Sequence, residues 1–87
     1  MGRQEIGTVF NYFSKAAVAA VQLNAGELKV GDTIVIEGPG VSITMEVESM
    51  QIDRQPVESA RAGQSVGLKV PERVRPGDKV YRLDPEP

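Results

Sequence analysis

The sequence predicts an all-β fold, and three features of its turns and strands carry that prediction. In residues 26–36 a Gly-Asp turn leads directly into an alternating apolar run. The same order of apolar residue, basic residue, Gly-Asp and strand returns at residues 74–81. Residues 42–48 alternate between polar and apolar side chains, as a half-buried strand does. Five or six such strands favour a small barrel, because closure of a sheet hides its edges.

The first predicted strand spans residues 5–13, which are rich in β-branched and aromatic side chains. If this segment is extended, Ile6, Thr8, Phe10 and Tyr12 lie on one face. We therefore expect these four side chains to share one environment.

Residues 14–26 give conflicting signals. Five alanines, an N-cap-like Ser14 and the closing Gly26 favour a helix. The same Ala and Val content also suits a buried strand, and a helix would leave the first strand without a local hairpin partner. The residues themselves leave both alternatives open.

The middle of the chain predicts two strands and a loop. Residues 33–37 form a half-buried strand that ends at the Gly-Pro-Gly turn of residues 38–40. The alternation of residues 42–48 slips by one position near Ser49, which predicts a β-bulge. Residues 54–64 carry Pro, Gly and mixed charge, so they predict a long exposed loop.

The last third of the chain predicts two more strands. Residues 65–70 alternate again, Pro71 ends that strand, and residues 79–83 form the closing strand. We assign structural roles in turns to Gly26, Gly31, Asp32, Gly63, Gly67, Gly77 and Asp78.

Length and composition limit the functions that the chain can have. Eighty-seven residues suit one domain, for which we expect the bounds 1–87, a core at about 5–83 and an acidic tail at 84–87. The absence of Cys and His excludes disulfides, thiolate nucleophiles and the usual zinc ligands and general base. No apolar run approaches the roughly 20 residues of a membrane span, and no signal peptide precedes the strands. We expect a cytoplasmic protein that does not bind membranes.

No catalytic pattern stands out. The sequence lacks a phosphate-binding loop and a calcium-binding loop. Glu46 and Glu48 lie two apart on one strand face, where carboxylates are ordinarily solvated. We therefore expect no enzymatic activity, no metal and no cofactor.

The charge is unevenly distributed, which leaves binding as the expected function. Residues 1–53 carry a net charge of −4, residues 54–83 carry +4, and the tail carries −2. Arginine side chains suit phosphate and planar-base contacts through their fork of donors. We predict an RNA-binding patch at Arg54, Arg61, Arg73 and Arg75, and we interpret the four aromatic side chains mainly as core.

Five segments together resemble the second domain of translational GTPases such as elongation factor Tu, namely residues 26–32, 36–38, 47–51, 60–68 and 75–80. The chain looks most like stand-alone elongation factor-like proteins that consist of this barrel; related barrels also end some collagenase-type peptidases. The resemblance implies a six-stranded Greek-key β-barrel in which residues 16–23 form a strand.

The resemblance also implies a translation-associated module that contacts tRNA or ribosomal RNA through residues 54–61, where Arg61 matches the family pattern. Residues 22–25 and Ser59 depart from that pattern, which puts an aminoacyl-tRNA pocket in doubt. The expected partners are RNA, the ribosome and a translation GTPase. The alternative is a protein-interaction module or accessory subunit that uses Glu46 and Glu48, or the barrel surface on which a GTPase domain would pack.

Overall fold

The computed structural model describes residues 2–83, which form ten β-strands and no helix. The predicted tail at 84–87 lies outside the described residues. Six strands have five or more residues: β1 (Arg3–Phe13), β2 (Val18–Leu23), β4 (Thr33–Gly38), β5 (Val41–Glu46), β9 (Ser65–Lys69) and β10 (Lys79–Leu83). Four have three residues: β3 (Glu27–Lys29), β6 (Met50–Ile52), β7 (Gln55–Val57) and β8 (Ser59–Arg61). The predicted all-β fold is confirmed.

One curved sheet and one short ribbon enclose the core. Eight strands form an antiparallel sheet in the order β5-β4-β10-β1-β2-β9-β6-β7, and β3 pairs with β8. A single apolar cluster receives side chains from both parts, including Ile36 of the sheet and Leu28 of the ribbon. Because both parts face one cluster, the arrangement is barrel-like.

The alanine-rich segment folds as strand β2 rather than as a helix. This strand pairs with β1 on one side and with β9 on the other, so it lies inside the sheet. Ala19, Ala20 and Val21 are buried in succession, which is the pattern of a strand covered on both faces. Tertiary contacts therefore override the local helix propensity.

Strand β1 contains two irregularities that redirect its side chains. The register shifts between Glu5 and Gly7 against β10, and between Val9 and Asn11 against β2. An extra residue in one strand reverses the alternation beyond it. The expectation that Ile6, Thr8, Phe10 and Tyr12 share a face is therefore wrong: Ile6 is buried, whereas Phe10 is 52% exposed.

The bulge predicted near Ser49 is a break between strands. Residues 47–49 connect β5, which pairs with β4, to β6, which pairs with β9. The backbone N–H of Val47 donates to the carbonyl of Asp32 at 2.8 Å. The phase of the alternation changes here because the chain changes its pairing partner.

The prediction of a long loop at residues 54–64 is wrong, because this segment contains β7 and β8. Ala60 of β8 pairs with Leu28 of β3, and both side chains are buried. A three-residue ribbon closes over the core at this point, which explains why the segment is ordered into strands.

Three tight turns share one hydrogen-bond pattern. In residues 29–32, 61–64 and 75–78, the first N–H donates at 2.9 Å to the side-chain oxygen of the fourth residue. The fourth N–H returns to the first carbonyl at 3.0, 3.1 and 3.1 Å. The third residue is glycine, with φ of 101°, 96° and 99°, as a type II turn requires. The Gly-Asp turn that occurs twice in the sequence thus has a third copy at residues 61–64, in which Gln64 replaces Asp as the side-chain acceptor.

Gly67 lies within β9 rather than in a turn. It pairs with Ala20 and Gln51, and a Cβ at this position would lie 3.2 Å from Cγ1 of Val18. The absence of a side chain therefore allows close packing between neighbouring strands. By contrast, Gly26 precedes β3 with φ of 68°.

Candidate binding surfaces

The larger of the two candidate surfaces is a depression that we call the aromatic groove. It crosses β1, β2, β9 and β6 and has a cavity volume of about 640 Å³. The lining residues are Phe10, Phe13, Ala16, Val18, Ala20, Gln51, Asp53, Arg54, Ser65, Val66 and Gly67.

The shape of the aromatic groove follows from side-chain size. Small residues line it at Ala16, Ala20 and Gly67, whereas the rings of Phe10 and Phe13 are large and are 52% and 51% exposed. Apolar rings that are half exposed above a surface of small side chains leave room for another apolar group. This surface can therefore bury a ligand against two aromatic rings.

One rim of the aromatic groove is charged. Asp53 and Arg54 form the two-residue turn between β6 and β7, with φ of 52° and 66°. Positive φ at both central residues is the type I′ geometry whose twist matches that of a hairpin. The hairpin therefore places one carboxylate and one guanidinium group at the edge of an otherwise largely apolar surface.

The second candidate surface, the arginine pocket, surrounds Arg73 and Arg75. Both arginines line a cavity of about 360 Å³ that is completed by Pro39, Gly40, Val41, Pro76 and Asp78. Both also line an adjacent depression of about 370 Å³ that includes Asn11 and Tyr12.

The structure divides the predicted RNA-binding patch. It brings Arg73 and Arg75 together, places Arg54 on the aromatic groove, and places Arg61 in β8 opposite Glu27. Within residues 2–83, none of these four arginines forms an ion pair; the pairs found there are Arg3–Glu37, Lys29–Glu27 and Lys79–Glu5. Ligand binding by the four arginines stays a prediction.

A charged cluster on a third face has a structural role. Arg3 Nη1 lies 2.9 Å from Glu37 Oε2, and the guanidinium group lies 4.2 Å from the centre of the Tyr81 ring. The hydrogen bond from Arg3 lowers the pKa of Glu37, and the same bond raises the pKa of Arg3. Arg3 is therefore engaged in contacts between β1, β4 and β10.

The sequence interpretation missed Phe10 and Phe13, because it assigned most of the aromatic residues to the core. The available signal was the run of small side chains in residues 16–20, which leaves little bulk opposite two neighbouring phenylalanines. The register shift between Val9 and Asn11 carries no clear sequence signal.

The acidic side chains of the described residues were the remaining candidates for catalytic or metal-binding groups. Glu46 and Glu48 are exposed, and residues 2–83 contain no cluster of three acidic side chains able to hold a metal ion. In the same part of the chain, no helix has the length and hydropathy needed to cross a bilayer.

Comparisons with known proteins relate the chain to proteases. It is 42% identical over 80 residues to a collagenase of Porphyromonas gingivalis and 46% identical over 80 residues to an uncharacterized protease of Methanocaldococcus jannaschii. Each match covers 91% of this chain but only 22% and 19% of the relative, respectively. The chain thus spans about a fifth of the length of these relatives. No protein-family model matches the chain.

A solved structure shows the same fold. The C-terminal domain of a candidate U32 peptidase from Geobacillus thermoleovorans superposes with a TM-score of 0.85 over 93% of both chains, at 23% sequence identity. This likeness establishes the barrel-like architecture of the chain.

These comparisons correct the interpretation of the chain as a translation factor. The similarity to elongation factor 1-alpha of Hyperthermus butylicus is 32% identity, which is weaker than the similarity to the two protease relatives. The resemblance to a stand-alone elongation factor-like protein, and the RNA- and ribosome-binding role drawn from it, are therefore wrong.

Proposed function

We propose that the chain is an accessory, non-catalytic domain of a U32-type peptidase system and that it holds extended polypeptide in the aromatic groove. The exposure of Phe10 and Phe13 above a surface of small residues is the observation that carries this proposal. The names of the relatives support it, since they are a collagenase and a protease.

The geometry of the aromatic groove favours an extended, proline-containing ligand. Such segments adopt a preformed polyproline II conformation and dock into aromatic-lined grooves at low entropic cost. Denatured collagen is rich in segments of this kind. The charged rim at Asp53 and Arg54 can contact the polar backbone of a bound segment.

The non-catalytic part of the proposal rests on the available chemistry. The chain contains no His or Cys, and the described residues contain no metal-binding cluster. Peptide hydrolysis would then depend on a catalytic segment outside this sequence, such as the larger part of the protease relatives.

The test uses the purified chain with denatured collagen. We expect the chain to be retained on a gelatin matrix and to release no new peptide amino termini from soluble gelatin. Cleavage that co-purifies with the chain would contradict the non-catalytic assignment. Failure of the chain to bind gelatin would contradict the polypeptide-binding assignment.

A further inference from the structure

Arg73 and Arg75 lie on either side of a buried residue. They flank Val74, which is 2% exposed and belongs to the core cluster. Both neighbours of this buried residue are exposed. Both arginine residues line the same two depressions.

The turn that begins at Arg75 is held in place by four hydrogen bonds. Arg75 N–H donates to Asp78 Oδ2 at 2.9 Å, and Asp78 N–H donates to the carbonyl of Arg75 at 3.1 Å. Two further bonds connect the turn to Val9 of β1. Gly77 N–H donates to the carbonyl of Val9 at 2.7 Å, and Val9 N–H donates to the carbonyl of Asp78 at 2.8 Å. A ligand would therefore meet a preorganised backbone, which lowers the entropic cost of binding.

The electrostatics of the arginine pocket suit a small anion. Neither arginine has an ion-pair partner within residues 2–83, so the planar donor forks are available for a bidentate oxyanion. Asp78 lines the same pocket and accepts the N–H of Arg75, and Glu72 precedes Arg73 in the chain. The Asp78 carboxylate reduces the local positive potential in the pocket, which favours a singly charged carboxylate over a multiply charged phosphate.

We propose that the arginine pocket binds a side-chain carboxylate of an acidic polypeptide segment. Arg73 and Arg75 supply the donors, and Pro39 and Gly40 contribute to the lining of the same pocket. This surface shares no lining residue with the aromatic groove, so the inference does not depend on the proposed function.

The test is a titration of the isotope-labelled chain with a short glutamate-rich peptide, followed by amide chemical shifts. We expect saturable shifts at Gly40, Arg75 and Gly77. The double variant R73Q/R75Q should bind at least about tenfold more weakly, a loss of about 1.4 kcal/mol, because it lacks both charge-assisted donors. The matched control R61Q/K69Q removes the same charge at two exposed positions that line neither surface and should bind normally.

A second titration with inorganic phosphate at equal ionic strength identifies the anion class. Weaker binding of phosphate than of the peptide supports the carboxylate site. Tighter binding of phosphate would overturn the assignment to carboxylate. Absence of saturable shifts, or equal binding by R73Q/R75Q and the control, would overturn the site itself.

Discussion

The carboxylate of Asp78 lies directly against the Cα atom of Gly38, so the turn before β10 packs on the end of β4 with no space for a side chain between them. Asp78 is 3% exposed and accepts the backbone N–H of Arg75. This contact fixes the position of the arginine pocket relative to the sheet.

Replacement of Gly38 by alanine should destabilise the fold. The added methyl group would overlap Asp78 Oδ1, and the carboxylate cannot withdraw without weakening its bond to Arg75. We expect the free energy of unfolding in urea to fall by about 1–3 kcal/mol. Gly40→Ala is the matched control, because no atom lies within 4 Å of its added Cβ. Equal stability of the two variants would contradict the close approach.

The three related turns should differ in their sensitivity to loss of the capping side chain. Asp78→Ala removes an acceptor from a part-buried hydrogen bond, whereas Asp32→Ala and Gln64→Ala remove acceptors from exposed ones. Urea unfolding should show a loss of about 1–3 kcal/mol for Asp78 and about 1 kcal/mol or less for the other two. An equal loss in all three variants would show that burial of the Asp78 contact does not matter.

Acid should weaken the contact between Arg3 and Glu37. The hydrogen bond from Arg3 lowers the pKa of Glu37 below its ordinary value of 4.5. A carboxylate whose pKa is lower in the folded state stabilises the protein above its unfolded pKa, and this contribution is lost as the pH falls through the folded pKa. Urea midpoints measured from neutral to acidic pH should therefore depend less on pH in Glu37→Gln than in the parent chain.

The reciprocal variant Arg3→Gln provides the check. It leaves Glu37 without its 2.9 Å partner, so the same part of the acid dependence should disappear. The double variant should show no further change. If Arg3→Gln retains the pH dependence of the parent chain, the assigned cause of the Glu37 pKa shift is wrong.

The sequence was sufficient for features set by local chemistry. The turns at residues 29–32 and 75–78 could be predicted from the sequence. Glycine is the residue that readily adopts φ near 100°, and the Asp side chain accepts the N–H of the first residue of the turn. The prediction of strand β2 required the family resemblance, because its alanines favour a helix on local propensity. Pairing with β1 and β9 overrides that propensity.

Features set by pairing between distant segments could not be predicted. The face of the sheet on which the Phe10 side chain lies depends on the register shift of β1 against β2. The sequence interpretation therefore missed the aromatic groove. The separation of Arg54 from Arg61 depends on β7 and β8, which form because Ala60 packs opposite Leu28. The placement of Arg73 and Arg75 on one surface could have been predicted from the sequence, because Val74, which lies between them, is a typical core residue.

Binding of a fluorescent, proline-rich unstructured peptide, measured by anisotropy, tests the role of the aromatic groove most directly. The variant F10S/F13S should bind at least about tenfold more weakly than the parent, because two half-exposed rings lose their contact with the ligand. Val30→Ser is the control, since Val30 is 42% exposed and does not line the groove. Weaker binding by F10S/F13S alone is the predicted result, and equal binding by all three proteins would contradict the account.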